Sequence, residues 1–110
     1  MINVEFTKGN DGVRLIIKGH AGYSKGGNDD IVCAAISGIF YALCGYLSNL
    51  KKEGYSLNRA EPGYADVECG YEGEEAMKLA CIGIWQIALT YPQCVKVHNL
   101  AWNWEMKDIA

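Results

Sequence analysis

The chain has 110 residues, half of them hydrophobic, and a formal net charge of −3. This length predicts a single domain over residues 1–110, and the apolar fraction is sufficient for a core without disulfide bonds. The acidic balance argues against a protein that is held on nucleic acid by phosphate contacts alone. No apolar run approaches the roughly 20 residues of a membrane span. We therefore expect neither a direct nucleic acid partner nor a membrane partner.

The chain is predicted to open with a hairpin. Residues 2–6 and 13–18 are typical of strands, and the polar, glycine-containing segment between them is typical of a turn. A long glycine-rich loop follows over residues 19–28.

A long helix is predicted after this loop. The acids Asp29 and Asp30 precede an apolar run whose members recur at three- and four-residue steps. The helix is therefore expected to begin at one of these acids and to continue to about Leu50. Lysines at positions 51 and 52 favour the negative end of a helix dipole, and Gly54 is typical of a helix end.

The second half of the chain repeats the strand–strand–helix order and adds one strand. Residues 55–59 and 65–69 are typical of strands, with a turn at residues 61–63. Residues 73–90 predict a second helix with acids at its positive end, and residues 95–104 predict a last strand. The order ββαββαβ predicts an α+β domain in which two helices pack on a mostly antiparallel sheet.

The five cysteines are expected to be reduced thiols in a cytoplasmic protein. Their number is odd, no CxxC pair occurs, and the acidic, strand-like start does not resemble a signal peptide. The spacing typical of metal-binding cysteines is absent as well, so we expect neither a metal nor another cofactor.

The segment from Gly19 to Ser37 combines the residue types that a cysteine nucleophile needs. Cys33 falls in the first turn of the long helix, where backbone N–H groups can stabilise a thiolate and a developing oxyanion. His20 lies at the end of the second strand, and the loop is long enough to bring its imidazole to the thiol. Such a pair attacks a carbonyl carbon and transfers the protons that the reaction requires.

Three further residues of this segment have candidate supporting roles. Ser37 lies one helical turn after Cys33 and can hydrogen-bond the thiolate, the imidazole or the substrate. Asp30 either caps the helix or orients the imidazole, and the sequence leaves that choice open. Gly19 allows the backbone beside His20 to take unusual dihedral angles or to admit a substrate chain.

Each of these residues also has an ordinary structural interpretation. A cysteine in an apolar helix usually fills core space, which is how we interpret Cys44, Cys69, Cys81 and Cys94. A histidine in a turn is usually solvated, and a serine inside a helix usually bonds its own backbone. Taken residue by residue, the segment is compatible with both interpretations.

In the order of its residues, the segment resembles the ribosomal-processing cysteine protease (Prp) family of bacteria. The resemblance rests on Gly19-His20-Ala21, a glycine-rich loop, Asp30-Ile31-Val32-Cys33-Ala34-Ala35 and then Ser37. It implies that His20 and Cys33 form a catalytic dyad. It also implies that Gly19, Asp30 and Ser37 are supporting positions.

The same resemblance implies a function and an assembly. Members of the family remove a short N-terminal extension from a large-subunit ribosomal protein, form homodimers and cover the site with a flexible loop. We therefore expect a cysteine endopeptidase whose partner is the N-terminal segment of a ribosomal protein precursor. The loop between His20 and Asp30 is the expected lid.

A different class of function is a non-catalytic, dimeric ribosome-assembly or peptide-binding module. In that case His20 and Cys33 are structural, and the loop docks a partner. Trp102 and Trp104 alternate on the predicted last strand and would share one face, as core or dimer contacts. A metal site through His20, Cys33 and an acid is a weaker third interpretation, because no closed ligand set is visible.

Overall fold

The computed structural model describes residues 1–20, 30–50 and 55–104. Its strands are β1 (Ile2–Lys8), β2 (Val13–Lys18), β3 (Ser56–Glu61), β4 (Tyr64–Cys69) and β5 (Val95–Asn99). Its helices are α1 (Ile31–Asn49) and α2 (Glu74–Thr90), and a 3₁₀ turn (Tyr71–Gly73) leads into α2. The predicted α+β order is confirmed.

The sheet has the strand order β3-β4-β2-β1-β5. The pairs β1–β2, β2–β4 and β3–β4 are antiparallel, whereas β1 and β5 are parallel. The sheet is therefore mostly antiparallel, as predicted. The pairing of β4 with β2 is the feature that matters for function, because it places the β3–β4 turn beside the end of β2.

One face of the sheet carries the hydrophobic core. Alternate side chains of β1 and β2 are buried, while those between them are mostly exposed. The helices add their own apolar side chains to the same cluster. Its fully buried larger members are Phe6, Leu15, Leu47, Met77 and Ile84.

The N-cap of helix α1 is Asp30, one of the two acids at which the sequence predicted its start. Asp30 has extended backbone angles, and its side chain accepts hydrogen bonds from the backbone N–H groups of Val32 and Cys33. The helix ends at Asn49 with Leu50 as its C-cap. Asp29, the loop proposed as a lid over residues 21–29, and the predicted end signals at 51, 52 and 54 lie outside the described residues.

By length and composition, α1 could cross a membrane, with 19 residues and a mean hydropathy of 1.9. The sequence expectation that no apolar run approaches that length is therefore wrong for this helix. One side of α1 belongs to the domain core, with Val32, Ile36, Phe40 and Leu43 among its buried residues.

The last strand is shorter than predicted, because β5 ends at Asn99. The side-chain oxygen of Asn99 accepts hydrogen bonds from the backbone N–H groups of Ala101 and Trp102, which turns the chain away from the sheet. The prediction that Trp102 and Trp104 alternate on a strand is therefore wrong. Their rings stack on each other at a centroid distance of 5.1 Å, and Trp102 is buried beside Phe6.

Candidate active site

A pocket of about 380 Å³ opens where three parts of the fold meet. These parts are the end of β2, the first half of α1 and the turn between β3 and β4. His20, Cys33 and Ser37 line the pocket together with Gly19. Its apolar lining includes Ile17, Ile36, Phe40 and Ala65. The pocket thus combines a thiol, an imidazole and a hydroxyl with an apolar surface.

Cys33 and Ser37 reach the pocket because they lie one turn apart on the same side of α1. The buried stripe of the helix, with Val32 and Ile36 next to these two residues, holds α1 on the core. Cys33 is partly exposed and Ser37 is exposed. Tyr41, one turn further along, also lines the pocket and is 61% exposed.

His20 lies two residues beyond the end of β2 and is exposed. Gly19, the residue between the strand and His20, has a φ of 98°, which a residue with a side chain rarely adopts. The backbone N–H of Gly19 donates to the carbonyl oxygen of Gly63 at 2.9 Å. This bond continues the β2–β4 pairing beyond Lys18 and fixes the backbone that carries the imidazole.

The structure shows that Asp30 caps the helix. Its Oδ1 accepts from the backbone N of Val32 and from that of Cys33, each at 3.0 Å. These two donors belong to the group that we expected to bind an oxyanion. Because both already donate to a carboxylate, an oxyanion would have to displace that carboxylate to use them.

The remaining cysteines are free thiols and differ from Cys33 in their surroundings. Burial raises the pKa of Cys44, raises that of Cys69 to about 11 and raises that of Cys81 to about 12. These three thiols lie in the hydrophobic core, as predicted. Cys94 is partly buried, packs against the core and does not line the pocket.

The sequence analysis missed the contribution of the β3–β4 turn. Glu61, Pro62, Gly63 and Tyr64 all line the pocket. Glu61 forms an ion pair with Arg59, whose guanidinium lies 4.0 Å from the centre of the Tyr64 ring. The local pattern predicts a turn here, but only the strand order brings it to His20.

Within the described ranges, no group of three or more His, Cys, Asp or Glu side chains is arranged to hold a metal ion. His20 and Cys33 share the pocket with Glu61, but this acid is already paired with Arg59.

A partly exposed thiol and an imidazole at one pocket are the groups that a thiol-dependent hydrolase uses. The model of the family described as cysteine protease Prp matches residues 1–96. The chain belongs to this family and is therefore a cysteine protease, which confirms the resemblance that the His20 and Cys33 segments suggested.

Solved structures show the same fold. The chain superposes on S. aureus ribosomal processing protease Prp with a covalently linked product peptide, at a TM-score of 0.78 and 22% identity. The alignment covers 90% of this chain and 99% of the other. The S. aureus protease with a substrate peptide gives 0.73 at 21% identity, with the same coverage. SMU.848 from Streptococcus mutans gives 0.70 at 23% identity, covering 93% of this chain and 96% of the other. No curated protein sequence matches the chain.

Proposed function

We propose that this cysteine protease removes a short N-terminal extension from a large-subunit ribosomal protein, with Cys33 as nucleophile and His20 as its acid–base partner. The observation that carries the proposal is that both side chains line one open pocket. The S. aureus relatives, which are ribosomal processing proteases with substrate or product peptides bound, support the choice of substrate.

The proposed reaction has two halves. In the first, the Cys33 thiolate attacks the peptide carbonyl carbon, and an S–C bond forms as the carbonyl electrons move to oxygen. The oxyanion then collapses, the C–N bond breaks, and the imidazolium of His20 gives its proton to the leaving amine. In the second half, neutral His20 takes a proton from water while that water attacks the thioester. The C–S bond breaks, which releases the acid product and restores the thiolate–imidazolium pair.

Three neighbours support this chemistry in the proposal. Ser37 lines the pocket one turn beyond Cys33, and its hydroxyl group serves as a hydrogen-bond partner for substrate or intermediate. Asp30 fixes the first turn of α1 and with it the position of Cys33. Gly19 sets the backbone direction at His20.

The test is mass spectrometry of the extended ribosomal protein precursor after incubation with the protein. Cys33→Ala and His20→Ala are each expected to lower the cleavage rate by at least about 100-fold. Cys94→Ala is the matched control, since this partly buried cysteine does not line the pocket, and the variant is expected to cleave normally.

Cleavage at the normal rate by Cys33→Ala would exclude this thiol as the nucleophile. A precursor that is bound by the unmodified chain but remains intact would favour the alternative, a peptide-binding module. Thermal melts of each variant show whether a lost rate reflects lost chemistry or a lost fold.

We also propose that the protein is a cytoplasmic homodimer. A chain of this size buries a limited share of its surface when it folds alone. Residues of α1 and α2 border an apolar groove of about 500 Å³ that includes Ile39, Tyr46 and Leu79. Leu79 is 72% exposed, and a second copy of the chain would cover it.

Light scattering after size-exclusion chromatography tests the assembly. Leu79→Glu is expected to shift the protein towards monomer, because a charge would be desolvated at the interface. Leu100→Glu is the matched control, since Leu100 is 69% exposed and does not line the groove. A monomeric unmodified chain, or equal effects of both variants, would contradict this interface.

A further inference from the structure

The turn between β3 and β4 has a conformation that strongly favours glycine. Pro62 precedes Gly63, and Gly63 has a φ of 80°. Proline followed by a residue with positive φ is typical of the two central residues of a type II turn. Glycine is strongly preferred as the second of these central residues. The carbonyl oxygen of Gly63 accepts the hydrogen bond from Gly19, so the turn is joined to the residue before His20.

The imidazole of His20 lies directly against Gly63. A Cβ atom at position 63 would stand 2.9 Å from Nε2, 3.3 Å from Cε1 and 3.7 Å from Cδ2 of His20. The first distance is shorter than van der Waals contact allows. The ring can therefore occupy its place only while position 63 has no side chain.

From this contact we propose that Gly63 is a positioning residue for His20, an inference that rests on the proposed function. The Cα atom of Gly63 and the backbone of the turn contact one side of the imidazole. This contact reduces the number of rotamers that the exposed His20 side chain can adopt before substrate binds. Such preorganisation lowers the cost of reaching the reactive geometry, because less side-chain motion is lost in the transition state.

Gly63 allows a cleaner experiment than Gly19 does. A Cβ at Gly19 would stand 2.3 Å from the backbone oxygen of Met1, so a substitution there would have to move main chain. At Gly63 the obstructed atoms belong to the end of a side chain that can rotate. A substitution is therefore expected to displace the ring while most of the fold remains.

The test compares Gly63→Ala and Gly63→Asn with the unmodified protein. We expect Gly63→Ala to lower kcat for precursor cleavage by at least about 10-fold with KM changed less than about 3-fold, since the ring rather than the peptide site is displaced. The pH profile of Cys33 alkylation by iodoacetamide should move towards that of an ordinary thiol. This second readout needs no ribosomal substrate, and a purely structural role would not change it.

Gly63→Asn separates ring displacement from backbone strain. Asparagine tolerates positive φ better than alanine, but it carries the same Cβ. We expect the Tm of Gly63→Ala to fall by roughly 5 °C. The Tm of Gly63→Asn should lie closer to that of the unmodified protein. This variant should nevertheless show the same losses in kcat and in the alkylation profile. Gly9→Ala is the control, because a Cβ there meets nothing within 4 Å.

Normal kcat and a normal alkylation profile in either soluble Gly63 variant would overturn the positioning role. Losses in Gly63→Ala that disappear in Gly63→Asn would also overturn it, because backbone strain would then be the cause. Failure of the proposed function looks different. In that case the unmodified protein leaves the precursor intact or Cys33→Ala cleaves it, while the alkylation comparison still decides the role of Gly63.

Discussion

Removal of the Asp30 side chain tests how the first turn of α1 holds Cys33. Asp30→Ala deletes the carboxylate that accepts the backbone N–H groups of Val32 and Cys33, each at 3.0 Å. Those donors then depend on water, and the first turn frays. Asp30→Asn retains an oxygen in the same place and removes only the charge.

The magnitude follows from the geometry of the cap. Replacing an aspartate N-cap by alanine costs about 1 kcal/mol, whereas asparagine caps about as well as aspartate. The lost interaction between the charge and the helix dipole adds about 0.3–1 kcal/mol at low ionic strength, and less as salt screens the charge. For a domain of this size, Asp30→Ala should lower Tm by roughly 5 °C and Asp30→Asn by about 2 °C or less.

Circular dichroism melts at pH 7 measure both shifts, and precursor cleavage measures the consequence for the site. Because the cap fixes the turn that carries Cys33, the cleavage rate should fall more in Asp30→Ala than in Asp30→Asn. Equal Tm values for the unmodified protein and Asp30→Ala would refute the cap. An Asp30→Asn variant that melts normally and has lost as much activity as Asp30→Ala would show that the carboxylate also acts on the reaction.

Two further predictions concern a buried carboxylate and the cysteines. Arg14 donates two hydrogen bonds to Asp66, at 2.9 and 2.6 Å, and lowers the pKa of that carboxyl group. Asp66→Asn should therefore lower the free energy of unfolding at pH 7 by about 1–2 kcal/mol. The pKa of Asp66 is lower in the folded state than in the unfolded state. The stability difference between the unmodified protein and Asp66→Asn should therefore persist above about pH 4 and shrink as the pH falls further. A stability difference that is independent of pH down to acid unfolding would contradict this origin. Iodoacetamide at mildly acidic pH should label Cys33 before Cys94, while the three core thiols react only after unfolding. Peptide mapping measures the alkylation rate of each cysteine. Equal alkylation rates at Cys33 and Cys94 would argue against an activated thiol.

Much of the fold could be predicted from local pattern, because each signal lies within a few residues of what it specifies. Apolar side chains at helical spacing predicted α1, and the two acids before them placed its start at Asp29 or Asp30, of which Asp30 is the cap. Turn residues separated the strands on either side of Pro62. The last strand was overestimated because its end depends on one side chain, that of Asn99, which bonds the backbone beyond it.

The candidate site divides in the same way. Cys33 and Ser37 could be placed on one side of a helix because helical periodicity is fixed by the backbone. The role of Asp30, by contrast, was left open by the sequence. Only the coordinates show that its carboxylate caps the helix. The parallel pairing of β1 with β5 could not be anticipated, because no short-range signal encodes which distant strand becomes a neighbour.

The order of residues by itself predicted a thiol in the first turn of a helix and, before it, a histidine close to the end of a strand. Backbone periodicity and helix capping act over a few residues and need no other part of the chain. What surrounds the histidine was decided only in three dimensions, when β4 paired with β2 and brought Gly63 against its ring. That contact joins residues more than forty positions apart, and it exists because hydrogen bonds between strands, rather than proximity in sequence, set the neighbours in a sheet.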